Sequence, residues 1–209
     1  MTDGLFRGET ALVTGAASGI GRGIARALAS EGAGLVLSDV NGGGLESVAE
    51  EIRAAGNEAM AIPADLSGPD GHAALFAAAT EAASDLSILV HSASPRRLES
   101  ENAATVTEAQ WDAMVNTNLR SGFFLARAAA DHMRRGEQAG RILFITSQHR
   151  FAPRNLPHYS ASKAGQVMVI RELARLYGPH GIRVNGIAPG AIPGGGFAAN
   201  VEQLNTRIA

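Results

Sequence analysis

The chain has 209 residues, of which 45% are hydrophobic and 18% are charged, and its formal net charge is −2. This composition is typical of a soluble globular protein, and such a small charge gives no long-range attraction for nucleic acid or anionic lipid. Because the chain has no cysteine, disulfides and thiolate metal sites are excluded.

The first ten residues include Asp3, Arg7 and Glu9 and lack the apolar stretch of a signal peptide. No apolar run approaches the length of a membrane span. We therefore expect a cytoplasmic protein with no membrane, nucleic-acid or metal partner.

Short runs rich in Val, Ile and Leu alternate with longer Ala-rich segments of helical period, which is typical of a parallel sheet covered by helices. The predicted strands are Thr10–Gly15, Gly34–Asp39, Glu58–Asp65, Leu86–Ser94, Arg141–Ser147 and Ile182–Pro189. The predicted helices are Gly19–Glu31, Leu45–Ala55, Pro69–Ala83, Glu108–Arg135 and His158–Tyr177. We therefore predict one α/β domain over residues 1–209, a doubly wound parallel sheet.

The first predicted strand runs into a glycine-rich turn, and a helical pattern begins directly after it. The turn reads Thr14-Gly15-Ala16-Ala17-Ser18-Gly19-Ile20-Gly21. Glycines at such a turn allow backbone amides to approach a pyrophosphate, and the positive end of the following helix stabilises its charge. This context predicts a dinucleotide site at Gly15, Ser18, Gly19, Ile20 and Gly21.

An acidic residue, Asp39, ends the second predicted strand about two dozen residues after the glycine turn. At this position a carboxylate accepts hydrogen bonds from the adenosine ribose and repels a 2′-phosphate. We therefore predict NAD as the cofactor and expect NADP to be disfavoured. The alternative is that Asp39 caps the following helix or turn, because Asn41 and three glycines follow.

The predicted fifth helix begins with Tyr159 and Lys163, whose four-residue spacing places both on one helix face. A phenol titrates near pH 10 in water, so it acts as a base near neutrality only where cations stabilise the phenolate. Lys163 is the one lysine among 18 Lys and Arg residues, which indicates a position that requires an ammonium group. Ser147 ends the preceding strand, at the sheet edge where ligands of open α/β sheets bind.

These residues together resemble the short-chain dehydrogenase/reductase family, and the similarity extends from about Gly8 to Gly190. The resemblance implies a Rossmann sheet with strand order 3-2-1-4-5-6 and a catalytic set formed by Asn118, Ser147, Tyr159 and Lys163. It implies that Tyr159 is the general acid and base and that Ser147 orients the substrate oxygen. Lys163 would bind the nicotinamide ribose and stabilise the phenolate, and Asn118 would hold a water in a proton relay.

The resemblance also implies further cofactor contacts and an enzymatic activity. It suggests NAD-dependent interconversion of a secondary alcohol and a ketone in a dimer or tetramer of identical chains. The additional cofactor-binding residues would be Asp65, Leu66, Ser92, Ala93, Pro189, Gly190 and Ile192, together with Tyr159 and Lys163.

Three departures from the family pattern leave an alternative open. The family's usual Asn-Asn-Ala-Gly reads His91-Ser92-Ala93-Ser94 here, and Gly194 replaces a threonine. The printed sequence also ends at Ala209, before the family's last helix and seventh strand. Residues 190–209 are expected to form a mobile substrate lid that includes a short amphipathic helix. The alternative is a catalytically silent nucleotide-binding scaffold or regulatory relative.

Two further expectations concern ligands and assembly. Arg96, Arg97, Arg150 and Arg154 follow strand ends and are candidates for binding an anionic substrate, although such arginines are more often solvated. The predicted helices Glu108–Arg135 and His158–Tyr177 are apolar on more than one face, which predicts a homo-oligomer. His91, a single histidine at a strand end, is expected to be structural.

Overall fold

Six parallel strands form one sheet in the computed structural model, which describes residues 4–98, 100–190 and 192. The strands are β1 (Thr10–Thr14), β2 (Gly34–Ser38), β3 (Ala59–Ala61), β4 (Leu86–His91), β5 (Gly140–Ile145) and β6 (Ile182–Ile187). Their order across the sheet is β3-β2-β1-β4-β5-β6, with parallel pairing throughout. The predicted strand order and doubly wound sheet are confirmed.

Helices cover both faces of this sheet. They are α1 (Gly19–Ser30), α2 (Gly42–Ala54), α3 (Gly71–Ala82), α4 (Glu108–Val115), α5 (Ser121–Arg135) and α6 (Pro157–Tyr177). Short 3₁₀ turns lie at Gln148–Arg150 and Gly178–His180. Local signals explain two of the starts, because Thr107 and Gln110 form a reciprocal capping box at α4 and Pro157 is the first residue of α6.

Alternate strand residues divide the core into two clusters, one on each face of the sheet. Leu12 of β1 belongs to the cluster that includes residues of α3, α5 and α6, whereas its neighbour Val13 packs with residues of α1 and α2. Side chains of adjacent strand residues point to opposite faces, so a strand buried on both sides is continuously apolar. The carboxyl ends of the strands stay at one sheet edge, where the candidate site lies.

The sequence-based boundaries need three corrections. The predicted helix Glu108–Arg135 contains a π-helical segment, Asn116–Arg120, which separates α4 from α5. The predicted strand Glu58–Asp65 pairs only over Ala59–Ala61. β4 ends at His91, so Ser94 lies in the following loop rather than at the strand end. The apolar runs in the sequence show which strand residues are buried. They do not show where the hydrogen bonds between strands stop, because the loop residues that follow are also partly buried.

Some expectations fall outside the described residues: Gly194, the predicted amphipathic helix and almost all of the predicted lid. Across the described ranges, no helix has the combined length and apolar character needed to cross a membrane. The same ranges contain no group of three or more His, Asp or Glu side chains arranged to hold a metal ion.

Candidate active site

The glycine turn after β1 has the close packing that its sequence predicts. Gly15 has a φ of +69°, and a Cβ at this residue would lie 2.8 Å from the backbone nitrogen of Ala93. Gly21 is equally restricted, because a Cβ there would lie 2.1 Å from the carbonyl oxygen of Gly15. Only glycine fits both positions, so the turn holds the start of α1 tightly against the ends of β1 and β4.

The same turn is open at Gly19 as far as the described residues are concerned. Gly19, the first residue of α1, has a φ of +53°, and a Cβ there would find nothing within 4 Å. Ser18 is the N-cap residue, but its side chain makes no capping hydrogen bond, and Ile20 is partly exposed. The first amides of a helix have no intrahelical partner, so this end of α1 is suited to an anion. The residues therefore fit a pyrophosphate group.

Asp39 turns its carboxylate towards the glycine turn. Its Oδ2 accepts a hydrogen bond from Ala17 N at 3.1 Å, and its Oδ1 accepts one from Asn41 N at 3.0 Å. The side chain of Asn41, not of Asp39, caps α2 by accepting from Gly44 N. Asp39 therefore caps the turn at Asn41 but not the helix α2, so only the helix part of the alternative interpretation is wrong. The carboxylate of Asp39 remains partly exposed and can accept from ribose hydroxyls as well.

The remaining candidate cofactor residues lie along the same strand ends. Asp65 is exposed, and hydrogen bonds from the Ser67 amide and hydroxyl lower the pKa of its carboxyl group, which keeps it ionised. Leu66 is buried. The amides of Ser92 and Ala93 both donate to Thr14 Oγ1 at 3.2 Å. This part of the β4 loop is therefore fixed to β1.

The segment after β6 also lies at this edge. Gln148 N donates to the carbonyl oxygen of Pro189 at 3.4 Å. A Cβ at Gly190 would lie 3.1 Å from Gln148 Nε2. Ile192 is 48% exposed. Pro189 and Gly190 thus lie beside the residue that directly follows Ser147.

Tyr159 and Lys163 lie in the first two turns of α6 and share one face, as their spacing predicts. Lys163 Nζ is 5.6 Å from the centroid of the Tyr159 ring. Both side chains are buried, with 6% of Tyr159 and 2% of Lys163 exposed. Lys163 Nζ donates to the carbonyl oxygen of Ile145, at the end of β5, at 2.7 Å. An ammonium carries three donors, and this is its one hydrogen bond to the described residues, so two donors remain for hydroxyl groups.

Burial changes the acid–base properties of this lysine. Loss of water contact, with a smaller contribution from the charge of Arg97, lowers the pKa of Lys163 from 10.5 to about 7. A desolvated ammonium releases its proton more readily than a solvated one. Lys163 therefore exchanges its proton close to neutral pH, where a phenol alone does not.

Ser147 lies two residues after β5 and is 7% exposed. It is the N-cap of the turn Gln148–Arg150, and its Oγ accepts from His149 N at 3.2 Å, so the hydroxyl proton can be donated elsewhere. The His149 ring packs edge-on against Tyr159 with centroids 5.0 Å apart. His149 thus contacts both Ser147 and Tyr159.

Asn118 lies in the π-helical segment and is completely buried. Its Nδ2 donates to Ser162 Oγ at 2.9 Å, and its backbone carbonyl oxygen accepts from Gln166 Nε2 at 2.8 Å. His91 Nε2 is 3.1 Å from the same carbonyl oxygen. The side-chain oxygen, Oδ1, is buried without a hydrogen-bond partner in the described residues. Because an unpaired buried acceptor is destabilising, Oδ1 is suited to holding a water molecule.

His91 is buried and bridges the glycine turn and Asn118. Its Nδ1 lies 3.2 Å from Thr14 Oγ1, whose lone pairs already accept from two backbone amides. The Thr14 hydroxyl therefore donates to Nδ1, and Nε2–H donates to Asn118 O. Burial and the nearby charge of Lys163 lower the pKa of His91 to about 4, so the ring is neutral. This geometry agrees with the structural role expected for His91.

Sequence reasoning missed three side chains around Tyr159, namely His149, Glu101 and His158. His149 contacts the tyrosine ring, and Arg97, which the sequence indicated only as one of four candidate anion binders, lies over that ring. The buried pair of Glu101 and His158 lies beside them. His158 directly precedes Tyr159 in the sequence, but no periodic pattern in residues 92–107 indicates that this loop folds back over α6.

Comparisons with known proteins concern the sequence and the fold of the chain. A family model described as short chain dehydrogenase matches residues 9–204. The chain is 35% identical over 186 residues to the 2-dehydro-3-deoxy-D-gluconate 5-dehydrogenase of Escherichia coli K12, covering 88% of this chain and 72% of that protein. It is 34% identical to glucose 1-dehydrogenase 2 of Bacillus subtilis, with the same coverage.

Among solved structures, the fold is similar to a 3-oxoacyl (acyl-carrier-protein) reductase from Agrobacterium tumefaciens C58 with NADP bound. The TM-score is 0.88 at 30% identity, covering 97% of this chain and 78% of the other. A likeness over nearly the whole described chain extends the sequence match to the architecture.

Proposed function

Because this chain belongs to the short-chain dehydrogenase family, whose named members here oxidise or reduce at CH–OH groups, we propose that it interconverts a secondary alcohol and a ketone with NAD. The observation that carries the proposal is the buried Lys163 ammonium, which lies next to the Tyr159 ring and keeps two donors available. A buried charge with so few partners is destabilising. The presence of Lys163 at this position therefore indicates that its ammonium binds a ligand or takes part in a reaction.

The proposed cofactor site uses the glycine turn and two charged side chains. Gly15, Gly19 and the first amides of α1 would hold the pyrophosphate, and Asp39 would accept from the adenosine ribose. Lys163 would donate to the nicotinamide ribose. The bound nicotinamide supplies the group that accepts or gives the hydride.

The proposed proton chemistry uses the hydroxyls of Tyr159 and Ser147. During oxidation, the Tyr159 phenolate takes the substrate hydroxyl proton, and Ser147 donates a hydrogen bond to the same oxygen. Lys163 stabilises the phenolate by its charge. We place the relay water on Asn118 Oδ1 rather than on its carbonyl oxygen, because His91 and Gln166 already occupy that carbonyl.

The two tyrosines of the chain provide a matched test of this mechanism. We expect Tyr159→Phe to lower kcat by about 100- to 10,000-fold, the usual contribution of a positioned acid or base, with little change in the Kd for NAD. Tyr177→Phe is the control, since it removes a hydroxyl that donates to Asp131 of α5 at 3.0 Å, at the opposite end of α6 from Tyr159. If wild type binds NAD but turns over no secondary alcohol or ketone, the silent-scaffold alternative is favoured. If Tyr159→Phe keeps full kcat, the proposed proton transfer is wrong.

The preference for NAD rests on Asp39. The carboxylate would oppose the 2′-phosphate of NADP, although relatives such as the Agrobacterium reductase bind NADP. We expect wild type to favour NAD by at least about 10-fold in kcat/KM, and Asp39→Ser to lose most of that ratio. Glu50→Gln removes an exposed charge on α2 and serves as the control. An unchanged ratio in Asp39→Ser would refute the assignment.

We also propose that this catalytic and cofactor-binding unit is one domain, acts in the cytoplasm and assembles with copies of itself. Phe123 and Arg127 of α5, with Leu173 and Leu176 of α6, line a groove on the outer surface whose lining also includes the charged Glu172 and Arg175. Leu176 is 61% exposed. An exposed groove of this kind favours pairing with a second copy. Sedimentation of wild type and Leu176→Glu tests the proposal, and a monomeric wild type would refute it.

A further inference from the structure

A second cation contacts Tyr159, and neither the proton chemistry nor the cofactor site requires it. Arg97, in the loop after β4, has its Cζ 4.3 Å from the centroid of the Tyr159 ring, closer than Lys163 Nζ at 5.6 Å. Arg97 is half-buried, whereas its neighbour Arg96 is exposed. The two adjacent arginines thus have different environments, and only Arg97 faces the reacting group.

Buried groups hold Arg97 in this position. The Glu101 carboxylate accepts from Leu98 N at 3.1 Å and lies 3.2 Å from His158 Nε2. Leu98 directly follows Arg97, and His158 directly precedes Tyr159. Glu101 and His158 are 7% and 1% exposed. These contacts hold the backbone next to Arg97 close to the start of α6, where the Arg97 guanidinium lies over the Tyr159 ring.

Two cations, Arg97 and Lys163, lie against the Tyr159 ring, and the Glu101 carboxylate lies nearby at His158. Burial and, to a smaller extent, the charges of Arg97 and Arg154 lower the pKa of His149 to about 4. The charge of Arg97 also contributes to the lowered pKa of Lys163. His149 is therefore neutral near pH 7, and the guanidinium groups remain charged. Cations close together raise each other's free energy, and a bound anion lowers it.

We propose that the substrate is a hydroxy acid or keto acid whose carboxylate pairs with the Arg97 guanidinium while its hydroxyl or keto oxygen lies at Tyr159. This inference rests on the proposed function. A guanidinium presents its donors as a planar fork that matches a carboxylate. Because Arg97 lies directly over the ring, the carboxylate is a few carbon atoms from the reacting carbon. Arg154 contributes a second positive charge.

The reaction leaves the carboxylate unchanged. In the oxidative direction, the carbon-bound hydrogen leaves with its electron pair to the nicotinamide, and the hydroxyl proton passes to Tyr159. The alcohol carbon becomes a ketone carbon, and NAD is reduced. The carboxylate only fixes the distance and orientation of the reacting carbon, so its loss lowers kcat/KM rather than blocking the chemistry.

The test compares each acid with a neutral alcohol of the same skeleton. Lactate is paired with isopropanol, β-hydroxybutyrate with sec-butanol, and gluconate with sorbitol. For each compound, kcat/KM with NAD and the Kd for the NADH-bound protein are measured in wild type, Arg97→Gln, Arg97→Lys and Arg96→Gln. The Kd is obtained from bound-NADH fluorescence and does not depend on turnover.

We expect wild type to bind at least one acid about 10-fold or more tightly than its neutral partner. Arg97→Gln should weaken binding of that acid by about 10- to 100-fold, as for loss of a charge-assisted pair, and this loss should exceed any change in the Kd of the matching alcohol. Arg97→Lys should bind the acid with an affinity between those of wild type and Arg97→Gln, because it keeps the positive charge but lacks the planar pair of guanidinium donors. Arg96→Gln should match wild type.

Equal affinity for acids and alcohols, or equal losses for both in Arg97→Gln, would overturn the carboxylate inference and leave the dehydrogenase proposal intact. Failure of wild type to bind NADH would instead overturn the proposed function. If Arg97→Gln does not fold, Arg154→Gln replaces it, since Arg154 is exposed. A smaller loss specific to acids is then expected, and no loss would contradict the inference.

Discussion

The pKa of Lys163 is the most direct test of the candidate site, because the chain contains one lysine. Protein labelled with ζ-¹⁵N lysine therefore gives a single side-chain ammonium signal, whose chemical shift reports one titration. We expect a midpoint of about 7 instead of 10.5. This difference corresponds to about 5 kcal/mol that favours the neutral amine in the folded protein. Titration near 10.5 would show that the amine is solvated and would refute its burial in the candidate site.

A pair of adjacent arginines separates the two causes of the shift. Arg97→Gln removes the charge that is the second cause, next to burial, of the lowered pKa of Lys163. The midpoint of the Lys163 titration should therefore rise. It should stay well below 10.5, because the burial of the amine is unchanged. Arg96→Gln removes an exposed charge one residue away and should leave the midpoint in place. Equal shifts in both variants would mean that general charge, not the position of Arg97, is responsible.

The same shift predicts how stability depends on pH. The folded protein binds fewer protons at Lys163 than the unfolded chain between about pH 7 and 10.5. The free energy of unfolding should therefore rise as pH increases through this range, since burial of the charged amine is destabilising at lower pH. Lys163→Met removes the group, so its denaturation profile should lack this rise. An identical slope in both proteins would contradict the assignment.

Three further changes test other parts of the site. Burial lowers the pKa of His91 from 6.5 to about 4. The free energy of unfolding should therefore fall by about 3 kcal/mol as the pH drops from 6.5 to 4. Urea titrations of His91→Gln should not show this pH dependence. Gly15→Ala should abolish tight NAD binding in calorimetry, because its Cβ would clash with the backbone at Ala93. Gly8→Ala is the control, since Gly8 also has a positive φ but its Cβ would meet nothing within 4 Å, so this variant should only lose stability. Equal losses of NAD affinity in both variants would contradict this. Glu101→Gln should lower the Tm and weaken acid substrates through Arg97, and an unchanged Tm would show that the buried pair with His158 is unimportant.

The sequence predicts the buried strands and the glycine turn because both depend on local rules, whereas the strand order is implied only by the resemblance to the short-chain dehydrogenase/reductase family. Continuous apolar runs identify strands buried on two faces, and the glycines at Gly15 and Gly21 leave no room for a side chain. The spacing of Tyr159 and Lys163 likewise places them on one face of α6. These features require no knowledge of which distant residues meet.

The rest of the site depends on contacts between distant parts of the chain. The helical period across residues 108–135 is continuous, so it cannot reveal the extra residue per turn at Asn116–Arg120. That segment places the Asn118 carbonyl where side chains from β4 and α6 donate to it. The loop that carries Arg97 has no periodicity, and its position depends on Glu101, whose buried role becomes visible only when α6 packs beside it.

His91 shows how a departure from the family motif is accommodated. An imidazole is larger than the usual asparagine side chain, and Gly122 of α5 provides the space, since a Cβ there would lie 2.8 Å from His91 Cδ2. The neutral ring accepts from the Thr14 hydroxyl and donates to the Asn118 carbonyl, so hydrogen bonds connect the glycine turn to the π-helical segment. Protonation would place a donor on Nδ1 against the Thr14 hydroxyl, which is then forced to give up one of its amide partners. The substitution therefore preserves the connection between cofactor turn and candidate catalytic residues, but only in the pH range where His91 is neutral.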